Sequence, residues 1–412
     1  MDQGGRPFPE TRPATGRSRL FLAGYGLANA GAFISFIPFL TLLAPLKAAE
    51  VAPHARDLTL SQVSIVGAIT AALAHLAFGA LSDATSSRFG RRRPWIVGGW
   101  AATALSLVLV GLAQTPWQLL GAVVMLQLAV NALYAPLAAV LPDLVPDHQK
   151  GEAAAWAGVA LPASKLFTAL VVGALLVTAT SRYAAVVAAT ALLVLPFALT
   201  LREPPSPTVR ARITLPSLRL TAFADGRFRR VFASRLLVET AVALHTLYLF
   251  FYLQDRGDLA SRLPGVTPEA AFGLLLTAST LGMLAAGAVS GSLSDRLGRR
   301  PVVIAGGVLI ATGVALLLLL PGWPGPLLAQ IVFGIGHGVY ATSNLALVAE
   351  ALPDDARNGR DLGLMNVAVA ASQALGPLIG IALMTTGGDL RGVFAAAALA
   401  ALAGAGALLF RR

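Results

Sequence analysis

The sequence predicts an all-α membrane protein of 12 transmembrane helices in two six-helix bundles, and three observations predict it. Of 412 residues, 56% are hydrophobic and 12% charged, with a mean hydropathy of +0.73, against roughly 25% charged in an average soluble domain. The apolar residues form unbroken runs of bilayer-crossing length, about 20 residues, without the period-two alternation of a membrane barrel. One stretch also occurs twice: GALSDATSSRFGRRRP from Gly79 to Pro94 and GSLSDRLGRRP from Gly291 to Pro301. Each copy sets an acid at the end of an apolar run, turns at a glycine and continues into arginines. Lipid admits only helices or closed barrels, because an unpaired backbone group there is too costly, so these runs are helices.

Composition also excludes. With no cysteine, disulfides and thiolate metal sites are ruled out. A net charge of +11 would suggest nucleic acid in a soluble chain; here its placement matters more than its size, and no nucleic-acid partner is expected.

In chain order, residues 1–18 are polar, basic and proline-containing, and are expected to form a disordered cytoplasmic tail. The run from Leu20 to about Leu46 is too long for the apolar part of a signal peptide and lacks a small-residue cleavage site, so it is span 1. Spans 2 to 6 follow at about 60–82, 95–113, 117–141, 152–179 and 183–201, completing an N-terminal bundle over 19–201. Residues 202–229, with Pro204, Pro205, Pro207 and Pro216 among arginines, cannot enter lipid and read as a cytoplasmic linker. Spans 7 to 12, at about 230–253, 268–293, 301–320, 325–349, 362–386 and 391–410, make a C-terminal bundle over 230–412.

Lysine and arginine set the orientation. With the tail inside, the inner segments carry 23 of these residues and the outer loops 6, which puts both termini in the cytoplasm and requires an even number of spans. The repeat extends beyond the turn motif. Asn131, Tyr134 and Leu141 of span 4 correspond at constant shift to His337, Tyr340 and Leu347 of span 10, and VPDHQKGEAAAW corresponds to LPDDARNGRDLGL. Six helices repeated in parallel make a transporter with a midplane site between bundles; the alternative is an old duplication without a transport role.

These motifs carry a family resemblance. GSLSDRLGRRP is similar to the loop 8/9 signature of the major facilitator superfamily, and the resemblance covers nearly the whole chain. The longer copy, SDATSSRFGRRRPW, resembles loop 2/3 of the glycoside-pentoside-hexuronide cation symporters and the related sucrose transporters. Asn131, Pro136, Asp143 and Leu144 in NALYAPLAAVLPDL resemble the matching region of sucrose transporters. The resemblance implies a secondary active transporter in the cytoplasmic (inner) membrane that moves a small solute by alternating access, with helices 1, 4, 7 and 10 lining the cavity. It is expected to act as a monomer, without a cofactor other than the proton gradient.

The turn motif has its own physics. Asp83 at the end of span 2 would face the positive N-terminus of span 11 near Gly359 to Gly363, and Asp295 that of span 5 near Gly151, latching the cytoplasmic side. Gly90 and Gly298 make the turns. Of the basic residues Arg88, Arg91, Arg92, Arg93, Arg296, Arg299 and Arg300, Arg92 or Arg93 is expected to pair with Asp143 and Arg300 with Glu350. The plainer reading is that the arginines set topology and anchor to anionic headgroups.

A charge at the bilayer centre costs about 2.5 to 3.5 kcal/mol even on insertion scales, and three are predicted inside spans: Lys165 in LPASKLFTAL, and Arg235 and Glu239 in ASRLLVETAVALH. Arg235 and Glu239 lie one turn apart on one face, so they read either as an in-helix ion pair or as a proton-carrying carboxyl tuned by an arginine. Lys165 is a substrate ligand or counter-charge, or else a snorkelling side chain.

The cavity-lining helices add Asn29; Gln127, Asn131 and Tyr134; His245 and Tyr248; and His337, Tyr340 and Asn344. Amide, imidazole and phenol groups in an apolar wall suit hydroxyl recognition, although each alone also reads as a helix-packing polar group. His75 is read as structural, and His54 and His148 fall in loops. The cation-binding subgroup is expected to carry acids in helices 1 and 4, where this chain has Asn29 and Asn131, so a sodium site there is disfavoured. Trp95, Trp117 and Trp323 fall near span ends, where aromatics anchor.

Three functions stay open: proton-coupled uptake of a sugar or glycoside, proton-driven export of a drug-like or secondary metabolite, and a membrane enzyme or scaffold. The third lacks support, since the chain has no HExxH, no serine elbow and no clustered acids.

Overall fold

The computed structural model describes residues 16–203, 223–255, 259–351 and 358–409, with side chains described from 364 onward in the last segment. Every extended element among the described residues is helical. The membrane-crossing helices are α1 (Arg19–Val51), α2 (Arg56–Ala84), α3 (Arg93–Leu112), α4 (Pro116–Leu144), α5 (Asp147–Leu175), α6 (Ala179–Thr200), α7 (Gly226–Gln254), α8 (Pro268–Leu297), α9 (Arg299–Leu319), α10 (Gly325–Glu350), α11 (Asn358–Thr385) and α12 (Leu390–Gly406). Eleven are long and apolar enough to cross a bilayer by themselves; α12 is shorter.

Local sequence explains the starts. Thr115, Thr178, Asp225, Thr267 and Asp389 each accept a backbone N–H of the first turn, and Pro116 and Pro268 occupy first-turn positions where no N–H is needed. α1 and α5 contain wider π-type turns, at Phe39–Leu43 just after Pro38 and at Thr168–Leu175. α1 also runs past its predicted end. Lys47, expected in a loop, lies buried in its last turns, where its ammonium donates to Glu50 (2.7 Å) and to the Gly111 carbonyl (2.8 Å). The predicted tail through residue 15 and linker residues 204–222 lie outside the described residues.

The helices pack as two sets. In the first, α1 lies against α5 and α6, and α4 against α2 and α3; in the second, α7 packs on α11 and α12, and α10 on α8 and α9. The sets meet along three seams, α2 with α11, α5 with α8, and α1 with α7. Both ends of the described chain lie on the face that carries the two arginine turns. Arg17 donates its amide to Gln149 Oε1 (2.6 Å) and its Nε to the Leu144 carbonyl (2.8 Å), and Arg300 Nε donates to the Leu408 carbonyl.

Candidate functional site

The turns form as their sequences require. Gly90 and Gly298 take φ of +94° and +87°, a region closed to most side chains. In the first copy Arg92 is only 3% exposed and serves two acids, Asp83 at 2.5 Å and Asp143 at 2.7 Å, while also donating to Ser82 Oγ. Arg91 joins it on Asp143 at 2.7 Å. Arg93 does not reach Asp143; its guanidinium and that of Arg88 flank the ring of Phe89. Glu203, just beyond α6, accepts the backbone N–H groups of Arg91, Arg92 and Arg93 at 2.8 to 3.0 Å, a carboxylate cap on the N-terminus of α3.

The second copy departs from the expected pairing. Arg299, not Arg300, reaches Glu350 (2.9 Å), and Arg227 of α7 takes its other oxygen (3.0 Å). The reason is the shorter turn: Gly298 leads directly into α9, so Arg299 is its first residue and points to the end of α10. Arg296 is exposed.

Of the expected cross-bundle latches, only that of Asp295 falls among the described residues, and it is not engaged in this conformation. Asp83 pairs within its own set, and its predicted counterpart, the side chains near Gly359 to Gly363, lies outside the described residues. Asp295 is exposed and makes no hydrogen bond or ion pair among the described residues, and a Cβ on Gly151 would meet open space. Closure lies instead at the opposite face. Arg56, at the start of α2, pairs with Asp255, donates to Gln254 Oε1 (3.3 Å) and sits 4.8 Å over the ring of Phe251. Ser61 Oγ lies 2.5 Å from Tyr248 Oη. Because the single Ser61 proton goes to the Asp57 carbonyl (2.7 Å), Tyr248 is the donor in this pair. At the second seam, a Cβ on Gly273 would lie 2.4 Å from the Ala169 carbonyl oxygen, so α5 and α8 touch backbone to backbone. Among the described residues, every hydrogen bond and ion pair joining the two sets lies near this face.

Between the faces the polar groups gather in two walls. On the first set, Asn131 Oδ1 lies 3.2 Å from His75 Nδ1, its amide donates to the Gln127 carbonyl (2.9 Å), and the Tyr134 ring meets Phe33 edge-on and His75 at a tilt. Asn29 donates to the Tyr25 carbonyl of its own helix (2.8 Å). On the second set, Tyr340 lies beside Ser234, Arg235 and Glu239. Lys165 of α5, in the other set, lies within electrostatic range of Glu239, His245 and His337, yet no ion pair within 4.0 Å forms between Glu239 and either Lys165 or Arg235. The expected in-helix pair is thus not formed, although both residues occupy the same neighbourhood. Buried polar atoms without partners include Arg235 Nε and Nη1, Ser234 Oγ, Tyr340 Oη, Ser343 Oγ and Asn344 Oδ1, with Ser164 Oγ next to Lys165 in the chain, while Arg235 Nη2 donates to Asn366 Oδ1 (3.5 Å).

Two expected cavity residues sit elsewhere. His245, 1% exposed, bonds Gln330 Nε2 (2.9 Å) and stacks on Phe333 at 4.0 Å, inside the second set. Tyr248 belongs to the closed face. Both are large side chains on α7, and that helix is almost wholly covered, so position along the helix does not tell cavity from core.

With this architecture in place, the family comparison decides. The sequence profile of the Major Facilitator Superfamily matches residues 20–267 and 263–412. The chain belongs to the Major Facilitator Superfamily. As a superfamily member with these apolar helices it is a multi-pass membrane protein. It is similar to the "Methylenomycin A resistance protein" of Streptomyces coelicolor, 34% identical over 109 residues, which are 26% of this chain and 22% of that protein. It is also similar to the "Uncharacterized MFS-type transporter YfiU" of Bacillus subtilis, 27% identical over 161 residues, 37% of this chain and 30% of that protein. The chain thus spans less than a third of the length of these curated relatives. In fold it is similar to the crystal structure of nucleoside transporter NupG, with a TM-score of 0.70 at 15% identity over 95% of this chain and 99% of that one. It is likewise similar to a bacterial homologue of the human lysosomal transporter Spinster in an inward-facing, unoccupied conformation, with a TM-score of 0.66 at 16% identity over 95% and 94% of the two chains.

Three contributors to this superfamily site were missed in the sequence. His75, read as structural, reaches Asn131 from α2. Glu203, read as linker, caps α3 across more than a hundred residues of chain. Arg56, counted as a loop cation, meets Asp255.

Proposed function

We propose that the protein is a proton-coupled importer of a sugar or glycoside in the cytoplasmic (inner) membrane, with both termini cytoplasmic and the bundles 19–201 and 230–412 rocking about the site. The observation that carries this is that Lys165 and Glu239 of opposite sets lie within electrostatic range of each other, among walls built of amide, imidazole and phenol groups. A single ionisable carboxyl between the sets is a natural carrier for a coupling proton, and neutral hydrogen-bonding groups in an apolar wall suit hydroxyls. The resemblance of residues 79–144 to the glycoside-pentoside-hexuronide and sucrose transporter group supports the same solute class. On this reading the structure is the inward-open form, and the Arg56–Asp255 and Ser61–Tyr248 contacts are its outer gate.

A second reading is proton-driven export of a drug-like metabolite, supported by the resistance protein among the relatives and by Asn29 of α1 and Asn131 of α4 standing where the cation-binding subgroup is expected to carry acids. Reconstituted vesicles separate the two. Import predicts solute accumulation when the medium is acidified, and export predicts efflux driven by the opposite gradient. Glu239→Gln should abolish pH-driven uptake while sparing solute exchange; full pH-driven uptake in that variant would remove Glu239 from the coupling.

A further inference from the structure

On the first set, α2, α3 and α4 leave a groove of about 570 Å³. Its residues on α4, Met125, Leu128, Ala129 and Ala132, share one helix face, opposite the face that carries Gln127, Asn131 and Tyr134. The groove therefore turns away from the gap between the sets, towards the lipid. It follows α3 from Pro94 to Ser106, about 18 Å at 1.5 Å per residue, a little more than one leaflet of a hydrocarbon core about 30 Å thick. A Cβ on Gly98 would meet nothing within 4 Å, so the groove is open down to the backbone there. The Ser106 hydroxyl in its wall spends its proton on the Ala102 carbonyl (2.8 Å), which leaves no side-chain donor for a polar ligand at that end. Such a channel takes hydrocarbon.

At the arginine-rich end the groove meets charge. Trp95, which lines it directly after Arg93 and Pro94, has its ring fixed by a hydrogen bond to Thr85 Oγ1 (2.8 Å) and by Phe78 at 5.4 Å. Arg88 and Arg93 both stand over the exposed ring of Phe89, 4.6 and 5.9 Å from its centroid, which brings two guanidiniums together. The neighbouring acids are engaged elsewhere. Asp83 and Asp143 hold Arg92, Asp143 also holds Arg91, and Glu203 accepts three backbone N–H groups. Among the described residues, neither Arg88 nor Arg93 forms an ion pair.

We propose that this groove seats one anionic phospholipid, its phosphate at Arg88 and Arg93 and an acyl chain along α3 between Trp95 and Ser106. The cations and the apolar channel lie end to end along one helix, the order in which a phospholipid presents its parts. Charge selects the headgroup: a zwitterionic lipid would bring its own ammonium against two uncompensated guanidiniums, and an anionic one does not. The site lies within the first set, so the lipid travels with that bundle and braces the turn whose other arginines tie α2 to α4. It holds whichever solute is carried.

The test places the full-length protein in phosphatidylcholine vesicles and titrates in brominated phosphatidylglycerol or brominated phosphatidylcholine of the same chains, since bromine quenches tryptophan at short range. The signal read is the part of the fluorescence that a Trp95→Phe variant lacks. Phosphatidylglycerol is expected to reach half-quenching at an about 10-fold lower share of the lipid, the scale set by two basic groups at a membrane surface. The double variant Arg88→Gln, Arg93→Gln should bring the two lipids level. Gly98→Leu projects into open space, so it fills the channel without displacing a neighbour, and it should remove most of the preference. Equal quenching by the two lipids in the wild type overturns the headgroup assignment, and this comparison stands even if the arginine variant fails to fold. An unchanged preference in Gly98→Leu overturns the groove as the seat of the chain. Displacement of the brominated lipid by excess glycerol 3-phosphate would make the site one for a soluble phosphate and overturn the lipid.

Discussion

The closed face yields the sharpest quantitative expectation, because its contacts are few and of unequal worth. The Arg56–Asp255 pair looks strongest, but the Asp255 side chain is 48% exposed, so screening leaves it worth at most about 0.5 kcal/mol. The guanidinium over Phe251 adds about 0.5 to 1 kcal/mol. The Ser61–Tyr248 bond is buried and neutral and contributes about 1 kcal/mol net. Tyr248→Phe removes only this donor, since Ser61 keeps its own bond to the Asp57 carbonyl, and is expected to shift the balance towards opening at this face about 5-fold. Arg56→Gln should shift it by a comparable factor, partly erased at high salt, and the double variant about 30-fold or more. The chain has no native cysteine, so spin labels at Ala52→Cys and Gly322→Cys, on the two sets at this face, report the distance between them cleanly. If the longer-distance population grows less than 2-fold in Tyr248→Phe, or if the Tyr248→Phe effect disappears with salt as an ion pair's would, the assignment of closure to the buried hydroxyl pair is wrong.

Three further outcomes follow from the same geometry. Gly273→Val places a branched side chain where even a Cβ would overlap the Ala169 carbonyl, so the labelled pair should populate the open distance almost exclusively; an unchanged distribution would mean that α5 and α8 can separate without opening the face. Glu203→Gln replaces a charged acceptor of three N–H groups with a neutral one and should lower thermal stability by about 1 to 2 kcal/mol, read as a lower melting temperature in detergent; an equal melting temperature would reduce the cap to a passive contact. Asp83→Ala is expected to slow transport and to shift the inward/outward balance, because it frees one arm of Arg92; unchanged rate and balance would leave the aspartate with a topological role only.

Much of the fold was legible because the bilayer enforces it. The glycine turns at Gly90 and Gly298, the spans and the repeat are local or periodic signals, and the structure extends the repeat. Gly99 packs on the backbone at Leu133, and Gly306, equally placed after its own Pro301, packs on the backbone at Tyr340. The pairing of arginines was less legible. Residue type foretold that acids at the ends of α4 and α10 would meet arginines, but which arginine depends on a four-residue difference in turn length. Least legible were contacts between chain-distant groups, such as Glu203 on α3, Arg56 with Asp255, and His75 beside Asn131. None leaves a periodic or motif trace, and each exists only because packing sets two helices side by side.

The distribution of contacts explains how such a molecule could move as two bodies. On the arginine-rich face every strong ionic contact among the described residues is internal to one set. Arg92 ties α2 to α4, Glu203 ties the end of α6 to α3, and Glu350 gathers α7, α9 and α10. These networks stiffen each set without bridging the gap, so they resist deformation of the bundle rather than its displacement. Among the described residues the two sets are bridged by Arg56 with Asp255, Gln254 and the Phe251 ring, by the Ser61–Tyr248 hydroxyl pair, by the glycine contact at Gly273, and by the electrostatic attraction of Lys165 and Glu239. Of these only the last lies in the interior and can change charge. Protonating Glu239 removes an attraction across the seam in a region of low dielectric, where it is worth more than at either face. On the proposed coupling role of Glu239, a proton arriving there would act on the relative position of the two sets, with more leverage than one on the surface networks.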